Sequence, residues 1–223
     1  MLSKLGSDFG LRLLSSVLLA PLALAAVWYG GAAYIILILL VSWRAAYEWL
    51  RLSIPAKAHV LTAVGIVYCL IFMESALWLR EVPDRGLILT LFVLIAVWGT
   101  DVGAYLAGRL IGGPKLAPSI SPKKTWAGLI GGMTLAVLLG ELCGYLFDFG
   151  TVLLIGVISA MLGLISQIGD LLESALKRHF NVKDSGNLIP GHGGILDRID
   201  GLMLALPALA LLVATMGHTL DIW

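Results

Sequence analysis

The sequence predicts an all-α fold: a polytopic transmembrane helical bundle of about seven spans, with its N-terminus in the cytoplasm. Three observations predict it. Of the 223 residues, 59% are hydrophobic and only 13% charged, and the mean hydropathy is +0.96. A water-facing domain carries about 25% charged residues, and a disordered chain is far less apolar. Seven apolar stretches reach or approach the roughly 20 residues that cross a bilayer as a helix. With the N-terminus inside, thirteen of the fifteen Lys and Arg residues fall on inside segments, and only Arg80 and Arg85 fall outside. That is the bias the positive-inside rule requires.

The stretches run over 11–29, 32–50, 58–79, 86–111, 127–146, 151–172 and 202–219. The first is too long for the apolar core of a cleavable signal, and a second span follows almost at once. The outside connections 28–31 and 147–151 are short. None of the stretches alternates with the period of two that a membrane β-barrel needs. No linker interrupts the chain, so residues 1–223 read as a single integral membrane catalytic domain. The net charge of +1 gives no reason to expect nucleic acid. Cys69 and Cys143 both lie in apolar stretches, so neither a disulfide framework nor a zinc knuckle is expected. The two long inside segments, 101–126 and 173–201, carry most of the informative polar residues, which puts the chemistry on the cytoplasmic side.

The fourth stretch ends VWGTDVGAYLAGRLIGG. Asp101 lies within the apolar run, where an ionisable group costs a few kcal/mol and marks function by default. Asp101, Tyr105 and Arg109 follow i, i+4, i+8 and share one helical face. An internal Asp–Arg pair holding the bundle together is the plain alternative. Gly108 and Gly112 form a GxxxG pattern that suits close helix packing. Gly and Pro then rule out a continuous helix through IGGPKLAPSISPKK. Ser121, Lys123, Lys124 and Thr125 offer hydroxyls and ammonium groups just before the next helix. A helix start presents free N–H groups that suit phosphate.

The sixth stretch leaves the membrane as SQIGDLLESALKRHFNVKDSGNLIPGHGGILDRIDG. Asp170, Ser174 and Lys177 share one helical face, flanked by Arg178. A carboxylate, a hydroxyl and two cations suit a magnesium–phosphate site, although cations at a helix C-terminus also satisfy the dipole. Lys183 and Asp184 follow, then a glycine-rich loop with His192, Gly193 and Gly194. Asp197 and Asp200 are i, i+3, on one face of a helix expected to open the last span. Carboxylates and phosphate oxygens together make the hard oxygen shell that Mg²⁺ prefers. His192 is a candidate for a phosphate or base contact. No second histidine stands at ligand spacing, so zinc is not expected.

Read together, Ser174-Ala-Leu-Lys177-Arg178, four residues, Lys183-Asp184-Ser-Gly, and Pro190-Gly-His192-Gly193-Gly194-Ile-Leu-Asp197-Arg198-Ile-Asp200 resemble the signature of the phosphatidate cytidylyltransferases, or CDP-diacylglycerol synthases. The segment from Asp101 to Gly128 resembles that family's second characteristic region, with a Ser-Pro-x-Lys-Thr core at Ser121–Thr125, and Arg12 matches its N-terminal arginine. Two features depart from the family: Ala127 stands where many relatives carry a polar residue, and the chain is short. The resemblance implies that CTP and phosphatidate react to give CDP-diacylglycerol and pyrophosphate. It also implies Mg²⁺, the inner (plasma) membrane and a homodimer. Carried onto this chain, Asp170 and Asp197, with Asp200 beside them, become the metal carboxylates. Lys177 and Arg178 join them in catalysis. Asp101, Ser121, Lys124, Thr125, Ser174, Lys183, Asp184, His192, Gly193, Gly194 and Arg198 fall in the substrate region.

The chemistry fits the residue types. A phosphate monoester with a second pKa of about 6 is largely dianionic at neutral pH, so its oxygen needs no strong base to attack the α-phosphorus of CTP. The task is to bring two polyanions together and neutralise them. A polar cavity between spans four, six and seven, open at the cytoplasmic interface, would admit CTP from water and lipid from the side. Two other readings stand beside this one: a CTP-dependent polyprenol or dolichol kinase, which would release CDP, and an ion-coupled transporter using Asp101 and Asp170. The chain shows no internal repeat of the kind transporters carry.

Overall fold

The computed structural model describes residues 17, 19–148, 150–188 and 193–216. Arg12 and His192, with residues 189–191, lie outside the described residues. The described elements are α1 (Leu19–Tyr29), then α2 (Gly31–Ser53), α3 (His59–Glu81), α4 (Gly86–Leu110), β1 (Lys115–Ala117), β2 (Ser121–Thr125), α5 (Trp126–Phe147), α6 (Val152–His179), α7 (Leu196–Ile199) and α8 (Leu202–Met216). Five helices, α2 to α6, are long and apolar enough to cross a membrane. The described parts of the first and last expected spans, α1 and α8, are shorter apolar helices. Outward-facing apolar side chains such as Val60, Leu110 and Leu153 are 77%, 81% and 79% exposed. Water would penalise such a surface and lipid would not.

The chain divides into two compact units. One comprises the described residues up to Leu77 together with Lys177–Ile199; the other comprises Trp78–Leu176 together with the described residues from Asp200 onward. In the first unit, α2 buries Tyr34, Ile38, Ala45, Glu48 and Trp49, a stripe at helical spacing. Tyr34 Oη donates to the Ala76 carbonyl at 3.0 Å, and Trp49 Nε1 donates to the Leu61 carbonyl at 2.8 Å. Both bonds join α2 to α3. A Cβ at Gly65 would run into the Trp49 indole, so the indole lies directly on the α3 backbone.

In the second unit, α4 and α5 approach backbone to backbone. A Cβ at Gly103 would come within 2.5 Å of the Gly131 carbonyl oxygen, and one at Gly132 within 2.7 Å of the Thr100 carbonyl. In lipid, where apolar burial does not drive helices together, such close contact between small residues is what holds them. The GxxxG expectation is half corrected. Gly108 lies at this seam, where an added Cβ would come within 3.2 Å of Thr125 Oγ1, but one at Gly112 would meet nothing, and Gly112 has φ +69°. Gly112 ends α4 in the left-handed conformation that glycine favours at this position.

The all-α expectation also needs correction at 115–125. The Gly- and Pro-rich segment forms an antiparallel β-hairpin, with Lys115 opposite Thr125 and Ala117 opposite Ser121. Pro114, Pro118 and Pro122 exclude helix, and the chain pairs locally instead. Thr125 remains extended (φ −125°, ψ 158°) and caps α5, its Oγ1 accepting from Gly128 N at 3.0 Å. A second correction concerns the last span: Asp197 lies in α7, Asp200 and Gly201 form a turn, and α8 begins at Leu202. The two aspartates therefore do not share one continuous helix face. α6 continues as helix past Asp170 to His179.

Candidate active site

The second unit holds a polar cavity of about 190 Å³ lined by Asp101, Tyr105 and Gly108 of α4, Lys123, Lys124 and Thr125 of β2, Gly128 of α5, and Gln167 and Asp170 of α6. Its walls come from α4, β2, α5 and α6. The sequence reading had named spans four, six and seven; no α8 residue lines the cavity. The hairpin makes the difference, because it carries the lysines to α6. Lys124 Nζ lies 2.6 Å from Asp170 Oδ2, with side chains 17% and 29% exposed. Asp170 Oδ1 accepts from Ser174 Oγ at 3.2 Å, one helical turn along α6. Gln167 Nε2 donates to Asp101 Oδ1 at 3.4 Å. Arg109 donates to Tyr105 Oη at 2.6 Å and lies over its ring.

Lys123 is exposed beside half-buried Lys124, and Ser121 opens β2. Thr125 is buried, and its hydroxyl is committed to the α5 cap. Asp200 belongs to the same unit. A Cβ at Gly169 would come within 2.5 Å of the Asp200 carbonyl oxygen, so the Asp200 turn rests on α6 one residue from Asp170. Asp200 Oδ1 accepts from Gly201 N at 2.8 Å.

A separate polar node lies in the first unit, around Asp197. Lys177 Nζ approaches Asp197 Oδ1 to 2.7 Å, and the two side chains are only 12% and 6% exposed. Removing one partner of so enclosed a pair costs about 3–5 kcal/mol, because the remaining charge is left unpaired. Asp197 Oδ2 accepts from Ser185 N at 2.9 Å, Ser185 Oγ at 3.0 Å and Gly194 N at 2.9 Å. Gly193 has φ +85°, and a Cβ there would come within 2.8 Å of Asp197 Oδ2. Glycine at 193 and 194 lets the backbone close on this carboxylate. Arg178, Lys183, Asp184 and Arg198 are exposed around the node.

Two residues of these clusters escaped the sequence reading. Glu48, fully buried on α2, accepts from the Ile195 and Leu196 amides, and its Oε2 lies 3.0 Å from Ser185 Oγ, which can donate to it or to Asp197. It met the criterion that singled out Asp101, an ionisable group inside an apolar stretch. Gln167 is the other; a neutral amide in a span gives a weaker signal.

Residues 53–216 match the cytidylyltransferase family. The chain belongs to that family. The matched region contains the hairpin cavity and the Asp197 node and begins just after Glu48. Among its similar relatives are proteins named phosphatidate cytidylyltransferase. The one from Rickettsia bellii is 36% identical over 92% of this chain and 91% of its own length. The one from Rickettsia felis is 37% identical over 93% of each. The one from Brucella suis is 34% identical over 95% of this chain and 96% of its own. Membership matches the resemblance carried by the signature residues, and two polar groups that the sequence of this cytidylyltransferase holds in separate segments, Lys124 of β2 and Asp170 of α6, meet in one cavity.

Proposed function

We propose that the chain transfers the cytidylyl group of CTP to phosphatidate, giving CDP-diacylglycerol and pyrophosphate in phospholipid synthesis. The observation that carries this reading is the hairpin cavity, where two lysines, two aspartates and a glutamine converge. Family membership and the names of the relatives support it. In the reaction a phosphatidate oxygen forms a bond to the α-phosphorus of CTP as the α–β phosphoanhydride bond breaks. The attacking phosphate is already ionised, so the chain's task is charge neutralisation and alignment. Lys124 supplies a cation that can exchange Asp170 for a phosphate oxygen, and Ser174 holds the Asp170 carboxylate in place.

The cavity residues fit Mg²⁺. They offer oxygen donors from Asp101, Gln167 and Asp170. Among the described residues no cluster of three or more His, Cys, Asp or Glu side chains forms. A site with few protein carboxylates leaves coordination positions to phosphate and water, as Mg²⁺ prefers. Asp170 is the ligand this geometry favours; Asp197 and Asp200 are proposed with it on the signature. Bound Mg²⁺ would neutralise phosphate charge as it develops.

The assay is direct. Purified protein, phosphatidate and CTP labelled in the cytidine should yield labelled lipid and free pyrophosphate. Release of CDP with a phosphorylated lipid alcohol would instead establish the kinase reading. Ion-gradient-driven uptake without nucleotide turnover would establish transport.

The proposal includes seven spans, a cytoplasmic N-terminus, the inner membrane, an active site on the cytoplasmic side and a homodimer. The basic-residue asymmetry supports the orientation. Pro118 precedes α5 and Gly150 follows it. A cysteine at Gly150 should label in intact cells, and one at Pro118 only after permeabilisation. Labelling of the Pro118 cysteine in intact cells would overturn the orientation. Light scattering of the purified protein reads the oligomer, and a monomer would remove the dimer.

A further inference from the structure

We infer that Glu48 is a positioning residue for Asp197 and for the loop that carries it. Glu48 stands on α2, far from the signature in sequence, and is 0% exposed. Its Oε1 accepts from Ile195 N at 3.1 Å, and its Oε2 from Leu196 N at 2.9 Å. Leu196 opens α7, the single helical turn on which Asp197 follows. The amides of a helical start have no partner within the helix, and a carboxylate satisfies them with charge-assisted bonds. Arg44, one turn back on α2, brings Nε to 3.2 Å of Oε1 and balances the buried charge.

Ser185 links this carboxylate to the other. Its Oγ lies 3.0 Å from Glu48 Oε2 and 3.0 Å from Asp197 Oδ2. One hydroxyl, with a single proton to donate, thus stands between two acidic side chains, while the Ser185 amide holds Asp197 independently at 2.9 Å. The flanking glycines follow from the same packing. A Cβ at Gly194 would strike Glu48 Oε2 and Ser185 Oγ, and one at Gly186 would come within 2.7 Å of Glu48 Oε1. Two of the signature's glycines are therefore small because Glu48 occupies the space beside them. With no exposed surface, Glu48 has no face to offer a substrate. Its effect on the reaction passes through Asp197, and through Asp197 to Lys177.

The kinetic consequence rests on the cytidylyltransfer reading; the structural consequence does not. In the purified full-length protein, Glu48→Gln keeps the side-chain shape but turns an N–H₂ donor toward groups that are themselves donors. Hydrogen exchange at the Ile195 and Leu196 amides should accelerate about tenfold or more, while exchange at Phe72 in α3 stays unchanged. Turnover should fall about tenfold or more, with KM for CTP within about threefold of the parent. The double variant with Asp197→Asn should be no slower than Asp197→Asn alone, because both changes act at one carboxylate. A role in general stability alone would give multiplicative losses. Should Glu48→Gln fail to fold, Ser185→Ala removes only the bridge and should show the same non-additivity with Asp197→Asn. Unchanged exchange at Ile195 and Leu196, or multiplicative kinetic losses, would overturn the inference. A parent protein that turns over no CTP would refute the function, and the exchange measurement would still decide the role of Glu48.

Discussion

Asp170→Asn should lower turnover by about a hundredfold at saturating Mg²⁺, the scale of one lost electrostatic contact to a transition state. It should also raise the Mg²⁺ concentration needed for half-maximal rate. The substitution keeps the shape and the Ser174 contact but removes the charge that faces Lys124 across 2.6 Å. Asp197→Asn should lose activity on the same scale for a different local reason. Its Oδ2 gathers Ser185 and Gly194, and its Oδ1 holds Lys177 at 2.7 Å. An amide can keep some of those contacts but cannot pair with the ammonium. Initial rates across an Mg²⁺ titration check both variants. Near-parent rates in both would take these aspartates out of the catalytic machinery.

Lys124→Ala should lower activity far more than Lys123→Ala, although the two lysines are adjacent in one strand. Lys124 is largely enclosed and ion-paired to Asp170, whereas Lys123 is exposed on the same hairpin. Loss of a charge-assisted contact is worth roughly 1.5–3 kcal/mol, or about tenfold to 150-fold in rate or affinity. Loss of an exposed charge is worth a fraction of that. The sequence alone makes the same distinction, since Lys124 occupies the lysine position of the Ser-Pro-x-Lys-Thr core and Lys123 its variable position. Steady-state kinetics with CTP and phosphatidate varied in turn will show which substrate each lysine serves. Equal, mild losses would reduce the hairpin to a basic cytoplasmic loop.

Much of this was legible in the residues themselves. Composition and the length of the apolar stretches point to helices in lipid; α2 to α5 lie within a few residues of the expected spans, and α6 runs seven residues beyond its own, to His179. The signature residue types point to phosphate chemistry because a polyanionic reaction needs cations and hard oxygen donors whatever the surrounding fold, and the resemblance to the family supplies the particular reaction. What was not legible depends on contacts between distant segments. Periodicity describes one element at a time. It could mark Lys124 and Asp170 as polar but could not pair residues from β2 and α6. It read the proline-rich segment as an interruption, because a short two-stranded hairpin has no hydrophobic alternation to show. It joined Asp197 and Asp200 on one helix, since an i, i+3 spacing does not reveal the turn at Asp200 that separates α7 from α8. Glu48 is the plainest case. As a letter in an apolar stretch it is one acidic residue near a helix end. Only the packed first unit brings it to Ser185, Ile195 and Leu196, because backbone amides carry no sequence label and their partners are chosen by proximity alone.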